Sequence, residues 1–279
     1  MNIVVIGNDI STPTLKSLAK QSGARAIEAR PGGAFRLRHA DVAARTEVEA
    51  ACAAAGLDCA WVPDERRLGD FGLLVMDMDS TLITIECIDE IADMQGLKPR
   101  VAAITEAAMR GELDFAESLR RRVALLAGLP ESALQRVYDE RLALSPGADA
   151  LLAAVRAAGL KTLLVSGGFT FFTGRLQTRL GLDHSAANTL EIVDGRLTGR
   201  LLGAIVDAEA KADALRRVRD TLGLGKAQVV AVGDGANDLG MMAEAGVSIA
   251  YHAKPVVRVQ ATHALNHAGL DGVIALLGG

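Results

Sequence analysis

The chain has 279 residues, half of them hydrophobic, 23 % charged and only 3 % aromatic, with 30 basic against 34 acidic side chains and a net charge of −4. At roughly 100–200 residues per domain this fits one large domain or a medium one with a small attachment; the apolar half excludes a disordered chain, and the acidic balance excludes nucleic acid as main partner, since a phosphate backbone needs a basic face. Cys52, Cys59 and Cys87 make neither an even disulfide framework nor a CxxC pair, the N-terminus lacks the basic start of a signal peptide, and no apolar run nears the ~20 residues of a membrane span, so a soluble cytoplasmic protein with no membrane partner is expected.

A strand is predicted over 3–6, followed by a helix over about 11–22 with Ser11 or Thr12 as its cap and Pro13 in its first turn. Strands over 24–29 and 34–39 flank Pro31-Gly32-Gly33, a cluster suited to a hairpin turn. A helix over about 43–55 carries Val48, Ala51, Cys52 and Ala55 on one stripe, and a strand over 59–62 closes the segment. The order β-α-β-β-α-β is that of a small ferredoxin-like α+β domain, placed at residues 1–65.

After the charged stretch 63–67, a strand over 71–76 leads into Asp77-Met78-Asp79-Ser80-Thr81. Residues 86–142 contain no convincing strand; glycines 96, 111 and 128 divide them into four helices, near 86–95, 98–110, 114–127 and 131–142. From 148 onward helix and strand alternate: helix 148–158, strand 161–165, a helix to about 180, a hairpin centred on Asp194-Gly195, helix 208–222, strand 228–232, helix 237–244 and strand 247–250. Such alternation predicts an α/β fold, a Rossmann-like, mostly parallel sheet covered on both faces, over 71–279, with the helical stretch 86–142 inserted as a cap.

Parallel α/β sheets bind ligands at the carboxyl ends of their strands, and three predicted strands end in small or polar residues. These are Asp77-Met78-Asp79, Ser166-Gly167-Gly168 and Gly233-Asp234-Gly235-Ala236-Asn237-Asp238. Asp77 and Asp79 leave an extended segment on the same side, and crowded carboxylates call for a cation or a shared proton. With Asp234 and Asp238 they offer hard oxygen donors with no His or Cys cluster, a set suited to Mg²⁺. Gly-rich turns expose N–H groups to a phosphate, and Lys211 on its helix supplies a point charge. Each piece alone has an ordinary counterpart: a solvated turn for the DxD, a tight turn for Ser-Gly-Gly, a solvated helix residue for Lys211. Their joint order is what points to phosphoryl chemistry.

These four ordered motifs resemble those of the haloacid dehalogenase-like hydrolase superfamily. The runs Glu86-Cys87-Ile88-Asp89-Glu90, Ala108-Met109-Arg110-Gly111 leading to Phe115, and Ser118-Leu119-Arg120-Arg121-Arg122-Val123 resemble its branch acting on O-phospho-L-serine. The resemblance implies Asp77 as nucleophile and Asp79 as general acid and base, working through an aspartyl-phosphate that yields L-serine and phosphate. It implies Mg²⁺ held by Asp77, the Asp79 carbonyl and Asp234, with Asp238 in the outer shell. Ser166, Gly167 and Lys211 then hold phosphate with Asn237 beside them, Glu86 faces the substrate ammonium, Arg122 pairs with its carboxylate, and Met109 and Phe115 close the pocket. The first 65 residues resemble an ACT domain, which implies an amino-acid effector such as L-serine and a homodimer; Gly7-Asn8-Asp9 after the first strand reads equally as an amino-acid contact or a plain turn. His263 and His267, one helical turn apart, are read as surface residues beside Thr262 and Asn266.

Overall fold

The computed structural model describes residues 1–279 except Asn8 and the side chain of Met109, so the expected roles of Asn8 and Met109 lie outside the described residues. It forms two compact units, one of residues 1–74, 145–161 and 224–279, the other of residues 75–144 and 162–223.

The chain begins with strand β1 (Asn2–Ile6) and helix α1 (Thr12–Gln21). Ser11 caps that helix by accepting from the Thr14 N–H at 3.2 Å, and Pro13 sits in the first turn, where its missing N–H costs nothing. Strands β2 (Ala26–Ala29) and β3 (Phe35–Arg38), helix α2 (Arg45–Ala54) and strand β4 (Asp58–Val62) follow. The sheet order is β2-β3-β1-β4, with every neighbouring pair antiparallel, as the expected order of elements requires. Alternation puts Ile3, Val5, Leu37 and Trp61 on one face, where they pack with Leu18, Val48 and Cys52 of the two helices. Burying each such aliphatic side chain is worth roughly 1.5–3 kcal/mol. Arg36 lies opposite Val4 and Glu28, on the other face.

Strand β5 (Leu73–Met76) is buried throughout and ends at Asp77. Helices α3 (Cys87–Met94), α4 (Lys98–Met109), α5 (Phe115–Ala124) and α6 (Ser132–Glu140) fill the stretch expected to be helical. Asp114 caps α5 through the Glu117 N–H at 2.7 Å. Helix α7 (Ala148–Ala157) leads to strand β6 (Lys161–Phe169), which runs four residues past the expected end because Phe169 pairs with Asn188 beyond a register shift. After helix α8 (Thr170–Leu180), strands β7 (His184–Val193) and β8 (Arg196–Leu202) form the expected hairpin. Its Asp194 and Gly195 both have positive φ, 50° and 70°, which a two-residue hairpin turn of this hand demands.

Helix α9 (Ala208–Thr221), strand β9 (Val229–Gly233), helix α10 (Leu239–Ala243) and strand β10 (Val247–Tyr251) come next. The expected helix over 237–244 opens as a tight turn over Ala236–Asp238 before α10 begins. Three short elements were not expected: helix α11 (Pro255–Arg258), strand β11 (His263–Leu265) and helix α12 (Gly272–Leu276). The second sheet has the order β11-β10-β9-β5-β6-β7-β8. The pairs β10–β11, β9–β10 and β6–β7 are parallel, and β7–β8 is antiparallel. His263 corrects the surface reading: it is in strand β11 and buried, and its ring accepts at Nε2 from the Arg66 guanidinium at 3.0 Å. Because arginine only donates, that contact places the imidazole proton on Nδ1.

One carboxylate ties the first sheet to the C-terminal segment. Asp58, buried at the start of β4, accepts from the backbone N–H groups of Asn266, His267 and Ala268 at 2.7, 2.9 and 2.8 Å. Among the described residues, no helix is long and apolar enough to cross a membrane.

Candidate active site

Asp77 occupies the end of β5, where the chain turns through Met78–Leu82. Ile83 closes the turn by donating to the Met78 carbonyl at 3.0 Å, and Ser80 takes φ +54° within it. Asp77 Oδ1 accepts from the Met78 N–H at 2.8 Å and meets Lys211 Nζ at 2.8 Å. The two side chains are only 7 % and 1 % exposed, so this ion pair works without the screening of a surface pair. Lys211 reaches it from the first turn of α9, whose cap is Asp207, accepting from the Ala210 N–H at 2.9 Å.

Asp79 stands in a different environment. Burial, and then the charge of Glu86, push its carboxyl up to about 7, against hydrogen bonds from Cys87 and the charge of Lys211. The Cys87 N–H donates to Asp79 Oδ1 at 3.1 Å. Gly168 passes so close that a Cβ there would lie 2.7 Å from Asp79 Oδ2 and 3.0 Å from Ser166 Oγ; only glycine lets the strand approach. Ser166 is buried and accepts from the Gly168 N–H at 2.8 Å. Asn188 went unnoticed in the sequence, yet it is buried and braces this turn. Its Nδ2 donates to the Gly167 carbonyl at 2.8 Å, and its Oδ1 accepts from the Val206 N–H at 2.8 Å. A lone Asn in a strand carries no signal of that role.

Glu86 immediately precedes α3, and its Oε1 accepts from the Ser80 hydroxyl at 2.7 Å. Partial burial of the carboxylate raises its pKa, as does Asp89, while the Ser80 hydrogen bond, Arg122 and Lys211 oppose the rise. Arg122, on α5, is held below its ordinary pKa by burial, and the acidic groups around it are Asp89, Glu86 and Asp79. Its Nε is buried with no hydrogen-bond partner. Phe115, at the start of the same helix, brings its ring to 3.0 Å from where a Gly167 Cβ would stand. Asp77, Asp79, Ser166, Gly167, Lys211, Glu86, Arg122 and Phe115 therefore belong to one compact unit.

Asp234, Asn237 and Asp238 share the turn after β9. Asp238 is fully buried, and its Oδ2 accepts from the N–H groups of Asp234 and Gly235 at 3.1 and 3.0 Å, which fixes the turn. Asp234 and Asp238 bring two carboxylates into this one turn, oxygen donors of the kind that suit a hard divalent cation.

The arrangement combines a carboxylate fixed by a lysine, a second carboxyl able to carry a proton near neutrality, and a glycine-rich turn. The profile of the haloacid dehalogenase-like hydrolases matches residues 74–243, and the chain belongs to that family. It is 56 % identical over 216 residues to the phosphoserine phosphatase of Polaromonas sp., an alignment covering 76 % of this chain and 92 % of the relative. Among solved structures it resembles a family hydrolase from Salmonella enterica serovar Typhi, with a TM-score of 0.90, 33 % identity and coverage of 99 % of this chain and 97 % of the other. It also resembles a probable phosphoserine phosphatase from Vibrio cholerae, with a TM-score of 0.88, 41 % identity and coverage of 99 % and 86 %.

Proposed function

We propose that the chain is a phosphomonoester hydrolase converting O-phospho-L-serine and water to L-serine and phosphate, the last step of serine biosynthesis, in the cytoplasm. The observation that carries the substrate is Arg122: a guanidinium withdrawn from water, with an unpartnered Nε, on the helix that also carries Phe115. A substrate carboxylate matches it as a planar, bidentate partner, and Glu86 complements the ammonium on the same carbon. The names of the relatives agree with this choice.

In the first half-reaction an Asp77 carboxylate oxygen attacks phosphorus, and the bond from phosphorus to the serine oxygen breaks. Asp79 gives its proton to that departing oxygen, a role suited to a carboxyl with a pKa of about 7. In the second half Asp79 takes a proton from water, whose oxygen attacks phosphorus and releases Asp77. Ser166, the Gly167 backbone and Lys211 hold the phosphate oxygens, with Asn237 beside them, and Phe115 keeps bulk water out. Asp77, the Asp79 carbonyl and Asp234 would hold Mg²⁺, with Asp238 in support. Bound there, the ion offsets the negative charge of nucleophile and phosphate, which must meet.

We read residues 1–65 as an ACT-like domain that pairs with a second copy to make a homodimer and binds an amino-acid effector such as L-serine. Residues 71–279 are read as the phosphatase domain with its cap at about 86–142. The four-stranded antiparallel sheet backed by two helices supports the first of these readings.

The deciding experiment is phosphate release from L-phosphoserine, phosphoethanolamine and p-nitrophenyl phosphate, with Mg²⁺ and with EDTA. Metal-dependent release with strong preference for L-phosphoserine over phosphoethanolamine, which lacks the carboxylate, is expected. Metal-dependent release without that preference removes the named substrate and keeps the hydrolase. Light scattering tests the pairing: a single-chain mass removes it.

A further inference from the structure

The face of the N-terminal sheet opposite its helices carries an arginine cluster that phosphatase chemistry does not use. Arg36 and Arg38 are two apart on β3 and so project from the same face; Arg30 enters from the end of β2, and Arg66 and Arg67 come from the segment after β4. These five arginines line one cleft of about 780 Å³, against two carboxylates, Asp64 and Glu65. The cleft is cationic in a chain whose net charge is −4. Nearby acids do not neutralise it. Glu28 is shared between Arg30, at 3.0 Å, and Arg38, at 3.8 Å, and Asp64 pairs with the N-terminal amine at 3.7 Å.

Arg36 is the informative residue. It is 4 % exposed, forms no ion pair among the described residues, and its Nε is buried without a hydrogen-bond partner, as is that of Arg30. Burial, then the neighbouring Arg30 and Arg38, act against its charge and outweigh Glu28 and Asp64, which favour it. A guanidinium cannot shed its proton to escape, so an unpaired one in such a place is costly. Gly278, at φ +87°, packs against the Arg66 backbone so closely that a Cβ would collide with the Arg66 carbonyl, which sets the wall carrying Arg66 and Arg67.

We propose that this cleft is a second anion site, separate from the catalytic carboxylates, for a small phosphate-bearing molecule with at least two negative charges. A tetrahedral phosphate presents oxygens in several directions, so guanidiniums from different strands and loops can each meet one; a planar carboxylate serves one fork at a time. The volume exceeds that of a single phosphate, leaving room for a diphosphate or a phosphorylated small molecule.

The test uses the full-length protein in EDTA, with calorimetric titration of pyrophosphate, inorganic phosphate and the tricarboxylate citrate, and thermal melts alongside. Pyrophosphate is expected to bind wild type and Lys211→Met, which lacks the catalytic cation, with similar affinity. Arg36→Met should weaken binding at least about tenfold, the scale of one charge-assisted hydrogen bond. Arg67→Gln, an exposed change that should not disturb folding, should weaken it severalfold. Without ligand in low salt, Arg36→Met should melt at or above the wild-type temperature, because it removes an uncompensated buried charge. Binding lost in Lys211→Met but kept in Arg36→Met would assign the anion to the catalytic pocket and overturn the proposal. A lower melting point for unliganded Arg36→Met would make Arg36 a structural residue, and citrate binding as tightly as pyrophosphate would remove the phosphate assignment.

Discussion

Asp77 and Asp79 are two residues apart, yet they stand in different surroundings. A lysine amine pairs with the Asp77 carboxylate at 2.8 Å, while burial beside Glu86 lifts Asp79 to about 7, where a carboxyl can still hold a proton; the proposed reaction uses the first as nucleophile and the second as proton donor. Asp77→Asn should therefore lower turnover by on the order of a thousandfold or more, since an amide oxygen does not form the acyl phosphate. Activity near wild type in protein proven free of deamidation would remove the covalent route. Arg122→Ala should cut kcat/KM for L-phosphoserine by roughly 10–150-fold, the worth of a charge-assisted hydrogen-bonded pair, and leave p-nitrophenyl phosphate little changed. Equal losses on both substrates would make Arg122 a structural residue.

At the scale of elements, the Asp58 carboxylate shows how much one side chain can hold. It takes three consecutive backbone N–H groups of the loop after β11, joining β4 to a segment more than 200 residues away. Replacing it by alanine leaves those donors without their charged acceptor, so Asp58→Ala should cost about 3 kcal/mol of stability, read from denaturant midpoints. Asp58→Asn should recover part of it, because the amide oxygen still accepts. An alanine variant within about 0.5 kcal/mol of wild type would show the clamp to be incidental.

Such long-range features are where the sequence is silent. The cap helices were legible because Gly96, Gly111 and Gly128 divide a stretch with no strand pattern, and the β7–β8 hairpin because Asp194-Gly195 suits only a few turns. The carboxylates, Ser166 and Lys211 were legible from their order along the chain. By contrast, β11 is three residues long and exists through its pairing with β10, so no periodicity marks it. Asn188 and Asp58 act on backbone atoms distant in sequence, and Arg36 looks like any strand arginine until its burial is seen.

For the molecule as a whole, His263 gives stability a pH dependence. Burial, then Arg66 and Arg45, lower it from 6.5 to about 4, so the folded chain resists a proton that the unfolded chain accepts. Stability present above about pH 6.5 is therefore lost as pH falls toward 4, by about 3 kcal/mol in total from this group. Urea midpoints measured between pH 7.5 and 4.5 should fall more steeply in wild type than in His263→Gln, which keeps an acceptor for Arg66. Parallel slopes would remove His263 as the cause.

The Asp58 clamp also has a consequence for the order in which the protein is made. Its acceptor and its donors are 208 to 210 positions apart, so at about 5–20 residues per second the ribosome delivers the donors some 10–40 seconds after the carboxylate. Throughout that interval β4 is an edge strand whose Asp58 lacks its loop partners, beside a sheet that is otherwise already synthesised. Until then the N-terminal segment has only its own packing of Ile3, Val5, Leu37 and Trp61 to draw on, and the Asp58 clamp waits on translation of the far segment.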